Sequence, residues 1–227
     1  EGYVDYVICV DKIGDAGKIV SGTTKITKDP VGLRIAYLAS QVVKHSGYLQ
    51  DGFSFQTGAG GTSLAVASYV EDMMLKEGIK GSFCMGGITG YLVSMAEKGC
   101  FETLLDVQCF DLDAVKSIRE NPKHQEISAS RYASPSAKSC AVASLDRVIL
   151  GATQVDTDFN VNVHTDSNGY IMGGSGGHSD TAAGSKLSIV VAPLVRARLP
   201  LVVDEVICKS TPGSTIDVVV TQRGIVV

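Results

Sequence analysis

The 227-residue chain has no basic tract. Lys and Arg together number 20 against 24 Asp and Glu, giving a net charge of −4. A nucleic acid or an anionic membrane surface would find no electrostatic footprint on such a chain. No CxxC pair occurs either. Six cysteines, Cys9, Cys84, Cys100, Cys109, Cys140 and Cys208, are scattered singly. That scatter argues against a zinc ribbon or disulfide framework and reads as reduced, mostly core thiols of a cytoplasmic protein. Apolar runs stop well short of a membrane span; the longest, Leu187 to Val195, is ended by Arg196. The sequence reads as carrying no secretory-leader pattern, internal repeat or low-complexity linker.

Hydrophobic residues are 44% of the chain and charged residues 19%, the composition of a globular protein with a sizeable core. The opening "EGYVDYVICVD" and the closing "TQRGIVV" both read as strands. Strand-like ends predict a segment of a longer polypeptide.

Between them, strands and helices alternate. "TKDPVGLRIAYLASQVVKHSG" reads as a helix with Asp29 as its cap, Pro30 in its first turn and Gly47 at its end. Residues 52–56 read as a strand, 57–61 as a turn and 62–78 as a helix. The spacing predicts strands again over 80–87 and 103–110, and helices over 91–99 and 111–121. Such alternation predicts an α/β fold with an open, mostly parallel sheet and helices on both faces. The second half is richer in strand: "RVILGATQVD", "NVNVH", "KLSIVVAPL", "PLVVDEVIC" and "IDVVVTQRG" follow closely. Ligands of such sheets bind beyond the carboxyl ends of the strands, where the glycine turns fall.

Two glycine loops are candidates for chemistry. In "FSFQTGAGGTSLAVA" a strand, a glycine turn and a helix follow one another. Bare N–H groups at a helix start hold an anion or a developing oxyanion; a tight turn needs the same glycines for its dihedrals alone. The residues leave both readings open. A dinucleotide fingerprint lacks its third glycine, since Ser63 follows Gly58 and Gly60. In "GGSGGHSDTAAG", Gly173, Gly174, Gly176 and Gly177 precede His178 and Asp180, and "NVHTDS" places His164 and Asp166 alike. Two His and two Asp can hold a metal. The preferred reading assigns no metal: Ser179 or Asp180 caps a helix starting at Thr181, and His178 bonds locally. A G-x-S-x-G elbow is absent, and no histidine is evidently paired with Cys84. Lys186, Arg196, Arg198 and Arg223 are basic residues near the loops, able to neutralise an anionic substrate.

As a set, "TGAGG", "GITG" (87–90), "QVDTDFNVNV" (154–163), "GGSGGHSD" (173–180) and "IDVVVTQRG" (216–224) resemble the CoA transferases and acyl-CoA hydrolases. The likeness spans almost the whole chain. "DKIGDAGKIVSGTTKITKDP", "FSFQTGAGGTSLAVA" and "GGSGGHSDTAAGSKLSIVVAPLVRARLPLV" narrow it to the citrate lyase alpha family. The resemblance implies a CoA-transferase-like (NagB/RpiA/CoA transferase-like) fold. It implies that residues 1–227 form one domain, the C-terminal half of a two-domain chain.

It further implies a cytoplasmic transferase in which acetyl-acyl-carrier-protein and citrate give citryl-acyl-carrier-protein and acetate. Partners would be the beta (citryl-lyase) and gamma (acyl carrier) subunits, in an oligomer. No cofactor would be bound covalently; the CoA-like prosthetic group of the carrier, or acetyl-CoA, would be substrate. CoA transferases of the glutamyl type attack the thioester with a glutamate just before the G-I-x-G loop. Here Cys84, Met85 and Gly86 stand there, and Gln56 precedes the other turn, so a direct exchange without an acyl-enzyme is implied. Expected catalytic contacts are Gln56, Gly58, Gly60 and Gly61. Expected CoA or thioester contacts are Gly86, Gly87, Gly90, Gly173, Gly174, Gly176 and Gly177; Arg196 and Arg223 are the expected substrate partners. A hydrolase or transferase for another acid, and a non-catalytic carrier-docking half, are the alternatives.

Overall fold

The computed structural model describes residues 4–15, 18, 24–137 and 139–227. Its centre is an eight-stranded sheet. In chain order the strands are β1 (Phe55–Thr57), β2 (Gly81–Ile88), β3 (Phe101–Cys109), β4 (His124–Glu126) and β5 (Arg147–Gly151). Short strands β6 (Gln154–Asp156) and β7 (Val161–Asn162) intervene before β8 (Leu187–Val191). Then come β9 (Val195–Arg196), β10 (Leu199–Pro200), β11 (Val202–Val203), β12 (Val218–Thr221) and β13 (Gly224–Val226). The sheet order is β13-β12-β8-β5-β1-β2-β3-β4. All its pairs are parallel except β12 with β13.

Helices α1 (Pro30–His45), α2 (Gly61–Glu77), α3 (Gly90–Glu97), α4 (Leu112–Glu120), α5 (Ala129–Ala133) and α6 (His178–Gly184) complete the framework. α1 begins as its sequence predicts. The Asp29 carboxylate accepts the Gly32 N–H at 2.9 Å, and Pro30 opens the first turn. Gly78 ends α2 in the left-handed conformation, at φ +71°, which costs glycine no Cβ clash.

Both faces of the sheet are covered, and the strands show why. Ile149, Ile189, Val191, Val218 and Val220 point into one core with residues of α1, α2 and α3, among them Ile35, Val43, Val66, Val70 and Leu92. Val148, Leu150, Val190 and Val219 alternate with them and enter a second core with Tyr132, Val142, Leu145 and Ala182. Strands buried on both sides carry continuous apolar runs of this kind. Each such side chain contributes about 1.5–3 kcal/mol by leaving water.

From β1 the chain builds outward to β4, then returns to β5 on the other side of β1 and builds toward β12. Strand order therefore reverses between β1 and β5, and the crevice of an open α/β sheet forms at the carboxyl ends of such a pair.

Several sequence expectations change. The opening strand is absent: residues 4–10 are exposed and irregular, with no described neighbour to take up their ladder groups. Residues 1–3 of that stretch, and 16, 17 and 19–23 of the next motif, lie outside the described residues. "PLVVDEVIC" yields only β10 and β11, and "NVNVH" only β7. β6, β7 and β11 form their own small sheet. The "QVDTDFN" motif is a hydrogen-bond knot. Asp156 accepts the Asp158 and Asn160 amides at 3.0 and 2.9 Å, and Asn160 Oδ1 accepts the Gly213 N–H at 3.0 Å. A Cβ on Gly213 would lie 1.8 Å from the Asp158 carbonyl oxygen, so only glycine fits there.

Candidate active site

A cleft of about 220 Å³ opens at the switch point. Its floor is the end of β1 and the turn after it: Gln56, Thr57, Gly58 and Ala59. Leu150 and Gly151 of β5 form one side. Gly87, Val107, Gln108 and Phe110 form the other, and Gly176, Gly177, His178 and Tyr132 close it. The glycine loops far apart in sequence thus meet in one place.

The β1 turn is held from below. The Gly58 N–H donates to the Ile149 carbonyl at 3.0 Å, and the Thr57 hydroxyl donates to the Ser63 carbonyl at 3.0 Å. Gly58 therefore shapes the cleft wall, but its own N–H is committed to the sheet. The N-cap of α2 is Gly60, which brings no side-chain oxygen to the first turn. The first N–H groups of α2 thus have no side-chain cap, and they carry the positive end of the helix dipole. Neither Gly60 nor Gly61 lines the cleft. Gly60 stands in open space, while Gly61 is pressed against Lys25 and Thr27.

Gln56 lies in the floor and is 7% exposed. Its Nε2 donates to the Tyr132 hydroxyl at 2.8 Å. The Thr181 hydroxyl donates to the Gly177 carbonyl at 2.7 Å. The bond from Gln56 to Tyr132 sets the amide with Nε2 toward Tyr132 and Oε1 away. Gln56 Oε1 is buried and has no partner among the described residues. An unpaired buried acceptor costs about 1–3 kcal/mol, a penalty a bound donor removes. Burial pushes the Tyr132 phenol up to about 12, so it stays protonated at neutral pH.

The glycines give the cleft its shape. A Cβ on Gly87 would fall 1.7 Å from the Phe110 ring, and one on Gly177 would fall 2.4 Å from the Tyr132 ring. Gly86, at φ +106°, lets the Gln56 amide lie against the β2 backbone, beside the register shift between Gly86 and Gly87. Gly90 does not reach the cleft; its N–H donates to the Asp111 carboxylate at 2.8 Å, tying α3 to α4. Gly173 and Gly174 are exposed and meet nothing within 4 Å of a built Cβ.

His178 starts α6, three residues before the expected Thr181, and the cap is Gly177 rather than Ser179 or Asp180. Its ring explains the shift. Nδ1 lies 2.7 Å from Thr211 Oγ1 and Nε2 lies 2.9 Å from the Gly151 carbonyl. The carbonyl only accepts, so Nε2 donates and Nδ1 accepts. Burial lowers the His178 pKa. The imidazole is a neutral clamp holding the Gly173–Gly177 loop to the end of β5. His164 bonds Ser210, at 2.6 Å, and the Asp166 carboxylate caps its own turn through the Asn168 and Tyr170 amides.

No Asp or Glu is among the described residues lining the cleft. Cys84 is fully buried, and burial pushes its thiol up to about 12; a thiol in that state is no nucleophile. Arg196 lies outside the cleft, in a hollow with Asp29, Pro193 and Gln222. Arg223 is exposed in the turn between β12 and β13. Sequence reasoning missed Tyr132, Gln108 and Phe110. Tyr132 belongs to a five-residue helix whose only signal is the Ser128 cap. A second hollow of about 450 Å³ shares Val107, Gln108, Tyr132, Gly176 and Gly177 with the cleft and runs on along α5 to Pro135.

With this geometry described, similarity to known proteins is informative. The family model for the alpha subunit of citrate lyase matches residues 1–227. The chain is 53% identical over 224 residues to the citrate lyase alpha chain of Klebsiella pneumoniae and 51% identical to that of Escherichia coli K12. Each alignment covers 99% of this chain and 44% of the relative, so the chain spans about half the length of the curated relatives it matches. A Streptococcus mutans structure, described as an alpha subunit of citrate lyase in complex with citrate, superposes with TM-score 0.94 at 49% identity. That match covers 99% of this chain and 44% of the other. The alpha subunit of an Acinetobacter baumannii malonate decarboxylase superposes with TM-score 0.62 at 18% identity, over 86% of this chain and 43% of that one. It shares the fold alone. The fold is the CoA-transferase-like one expected from the sequence.

Proposed function

The chain belongs to the citrate lyase alpha subunit family, and on that premise we propose that it forms one domain of a two-domain transferase. In this reading acetyl-acyl-carrier-protein and citrate are converted to citryl-acyl-carrier-protein and acetate. One observation carries it: the cleft assembles a thioester-sized space without an acidic side chain in its lining.

A citrate carboxylate oxygen attacks the acetyl carbonyl carbon. The C–S bond breaks, and a mixed anhydride and a thiolate result. The thiolate then attacks the citryl carbonyl of the anhydride, and acetate leaves with the bridging oxygen. No proton is consumed and no enzyme carboxylate takes part. The protein supplies position and charge stabilisation. With the Gly58 N–H bonded to Ile149, donors for the tetrahedral oxyanion come from the uncapped start of α2, where Gly60 and Gly61 follow Ala59 just outside the cleft lining and are reached by substrate at its rim. Removing one such donor costs about 3–4 kcal/mol.

Gln56 Oε1, turned away from Tyr132, accepts from an N–H or O–H of the substrates. The acyl end fits the 220 Å³ cleft, and the pantetheine-like arm follows the neighbouring hollow past Gly176 and Gly177. The arm belongs to the carrier, or to acetyl-CoA, and no covalently held cofactor is required. Gly87 lines the cleft and Gly86 lets the Gln56 amide lie against β2, while Gly90, Gly173 and Gly174 lie outside both cavities. Arg196 and Arg223 stand at the same end of the sheet as the cleft, where the other half of the chain can bring citrate to them. Beta and gamma subunits of a cytoplasmic, oligomeric citrate lyase are the partners in this reading.

The test uses the full-length alpha chain with acetyl-CoA and citrate, following citryl-CoA and acetate by mass. Citrate-dependent acetate release with citryl-CoA formed supports the transferase. Acetate without citryl-CoA makes the protein a hydrolase, and no acetate even with the carrier protein present leaves a docking role.

A further inference from the structure

Outside the cleft, β3 and β4 bring together three side chains that the reading above leaves unused. Asp106 Oδ2 lies 2.9 Å from Cys109 Sγ and 3.0 Å from His124 Nε2. The three ligand atoms all lie within 4.8 Å of one another. We propose that Asp106, Cys109 and His124 bind a divalent transition-metal ion of the zinc class.

Distances come first. A tetrahedral zinc with bonds of 2.0–2.3 Å separates its ligand atoms by about 3.3–3.8 Å. The two separations from Asp106 Oδ2 need to open by less than about 1 Å, and the third, within 4.8 Å, differs from the zinc spacing by no more than about 1.5 Å. Ligand type comes second. One thiolate, one imidazole and one carboxylate suit zinc, whereas magnesium and calcium take oxygen sets. Charge comes third. Thiolate and carboxylate together neutralise a divalent ion, so the loaded, nearly closed site carries no net charge.

The surroundings hold each ligand. The Gln108 N–H donates to Asp106 Oδ1 at 2.7 Å, which leaves Oδ2 for the site. Ser117 Oγ lies 2.9 Å from His124 Nδ1, the outer bond that orients metal-binding histidines. Asp106 and His124 are 1% and 4% exposed. Cys109 is half-buried and gives the ion and a fourth, water ligand their access. On loading, the Cys109 thiol loses its proton to solvent. His124 moves its ring proton from Nε2 to Nδ1, where Ser117 accepts it, and the Nε2 lone pair faces the metal. The ion would clip β4, a three-residue edge strand, onto the segment of β3 that presents Gln108 to the cleft.

The experiment titrates the EDTA-treated full-length chain with zinc alone by calorimetry, and in parallel with cobalt by absorption. Wild type takes up one ion more per chain than Cys109→Ser, releases protons as it does so, and shows a thiolate-to-cobalt charge-transfer band. Cys109→Ser removes the band and lowers affinity at this site by about 100-fold or more, while Cys208→Ser retains both. Ser117→Ala weakens binding by about 10–100-fold. Cys109→Ser is nearly isosteric at a half-buried position, so it carries the test should His124→Gln misfold. Wild type without stoichiometric uptake, or Cys109→Ser binding as wild type does, overturns the proposal.

Discussion

Gln56 and Tyr132, 76 residues apart in sequence, are joined by a 2.8 Å hydrogen bond from the Gln56 amide nitrogen to the tyrosine hydroxyl. The bond turns the amide nitrogen toward Tyr132. It leaves Gln56 Oε1 as a buried acceptor at the floor of the cleft.

Tyr132→Phe removes that bond and lets the amide turn. The predicted result in the full-length chain is about a tenfold loss of kcat, the effect of one buried hydrogen bond worth about 1.4 kcal/mol. Steady-state kinetics with acetyl-CoA and citrate measure it. An unchanged kcat would remove Gln56 orientation from the account.

Gly60→Ala separates folding from ligand approach. A Cβ there meets no atom of the described residues within 4 Å, and Gly60 has an ordinary φ of −71°. The cost to stability should be about 1 kcal/mol or less, from the poorer cap. Transfer activity should fall about tenfold or more if substrate closes on this backbone. Melting curves and turnover on one sample give both numbers, and full activity would place the ligand elsewhere.

His178 gives a pH dependence of stability. Its folded pKa is lowered by burial below the usual 6.5. Above about pH 6.5 both folded and unfolded imidazoles are neutral, and the group adds no slope. Below that pH the unfolded ring binds a proton that the folded one resists, so stability falls as pH falls. Urea midpoints at pH 7.5 and 5.5 should show this loss, and His178→Gln should reduce it.

Cys84 is predicted to be inert. Its thiol is fully buried and pushed up to about 12, whereas Cys9 is exposed. Iodoacetamide at pH 8 followed by peptide mapping should label Cys9 and leave Cys84 free in the folded chain. Early labelling of Cys84 would make it a candidate nucleophile again.

Much of this site was legible in the sequence because its glycines answer to local rules. The strand-turn-helix at Gly58–Gly61, and the helix limits at Asp29 and Gly78, follow from caps and dihedrals that a few neighbouring residues decide. Gln56 stood out because the family resemblance places a carboxylate near such a turn. What escaped is tertiary. Nothing near Tyr132 shows that its ring lies over Gly177, or near Phe110 that it needs Gly87 bare. Alternation in residues 4–10 matched a strand, yet pairing requires a neighbour that no local pattern supplies. His178 was read as a loop residue before Thr181; its bonds to Gly151 and Thr211 extend α6 back to it.

The central claim is that the acyl group passes from thioester to citrate with no acyl-enzyme. Citrate carrying oxygen-18 in its carboxylates, acetyl-CoA and stoichiometric full-length chain, stopped within one turnover, test it most directly. Direct exchange places one citrate oxygen in the first acetate released. Unlabelled acetate would contradict the account: its oxygen would then come from an enzyme carboxylate, or from water in a hydrolase, and repeating the reaction in labelled water tells these two apart.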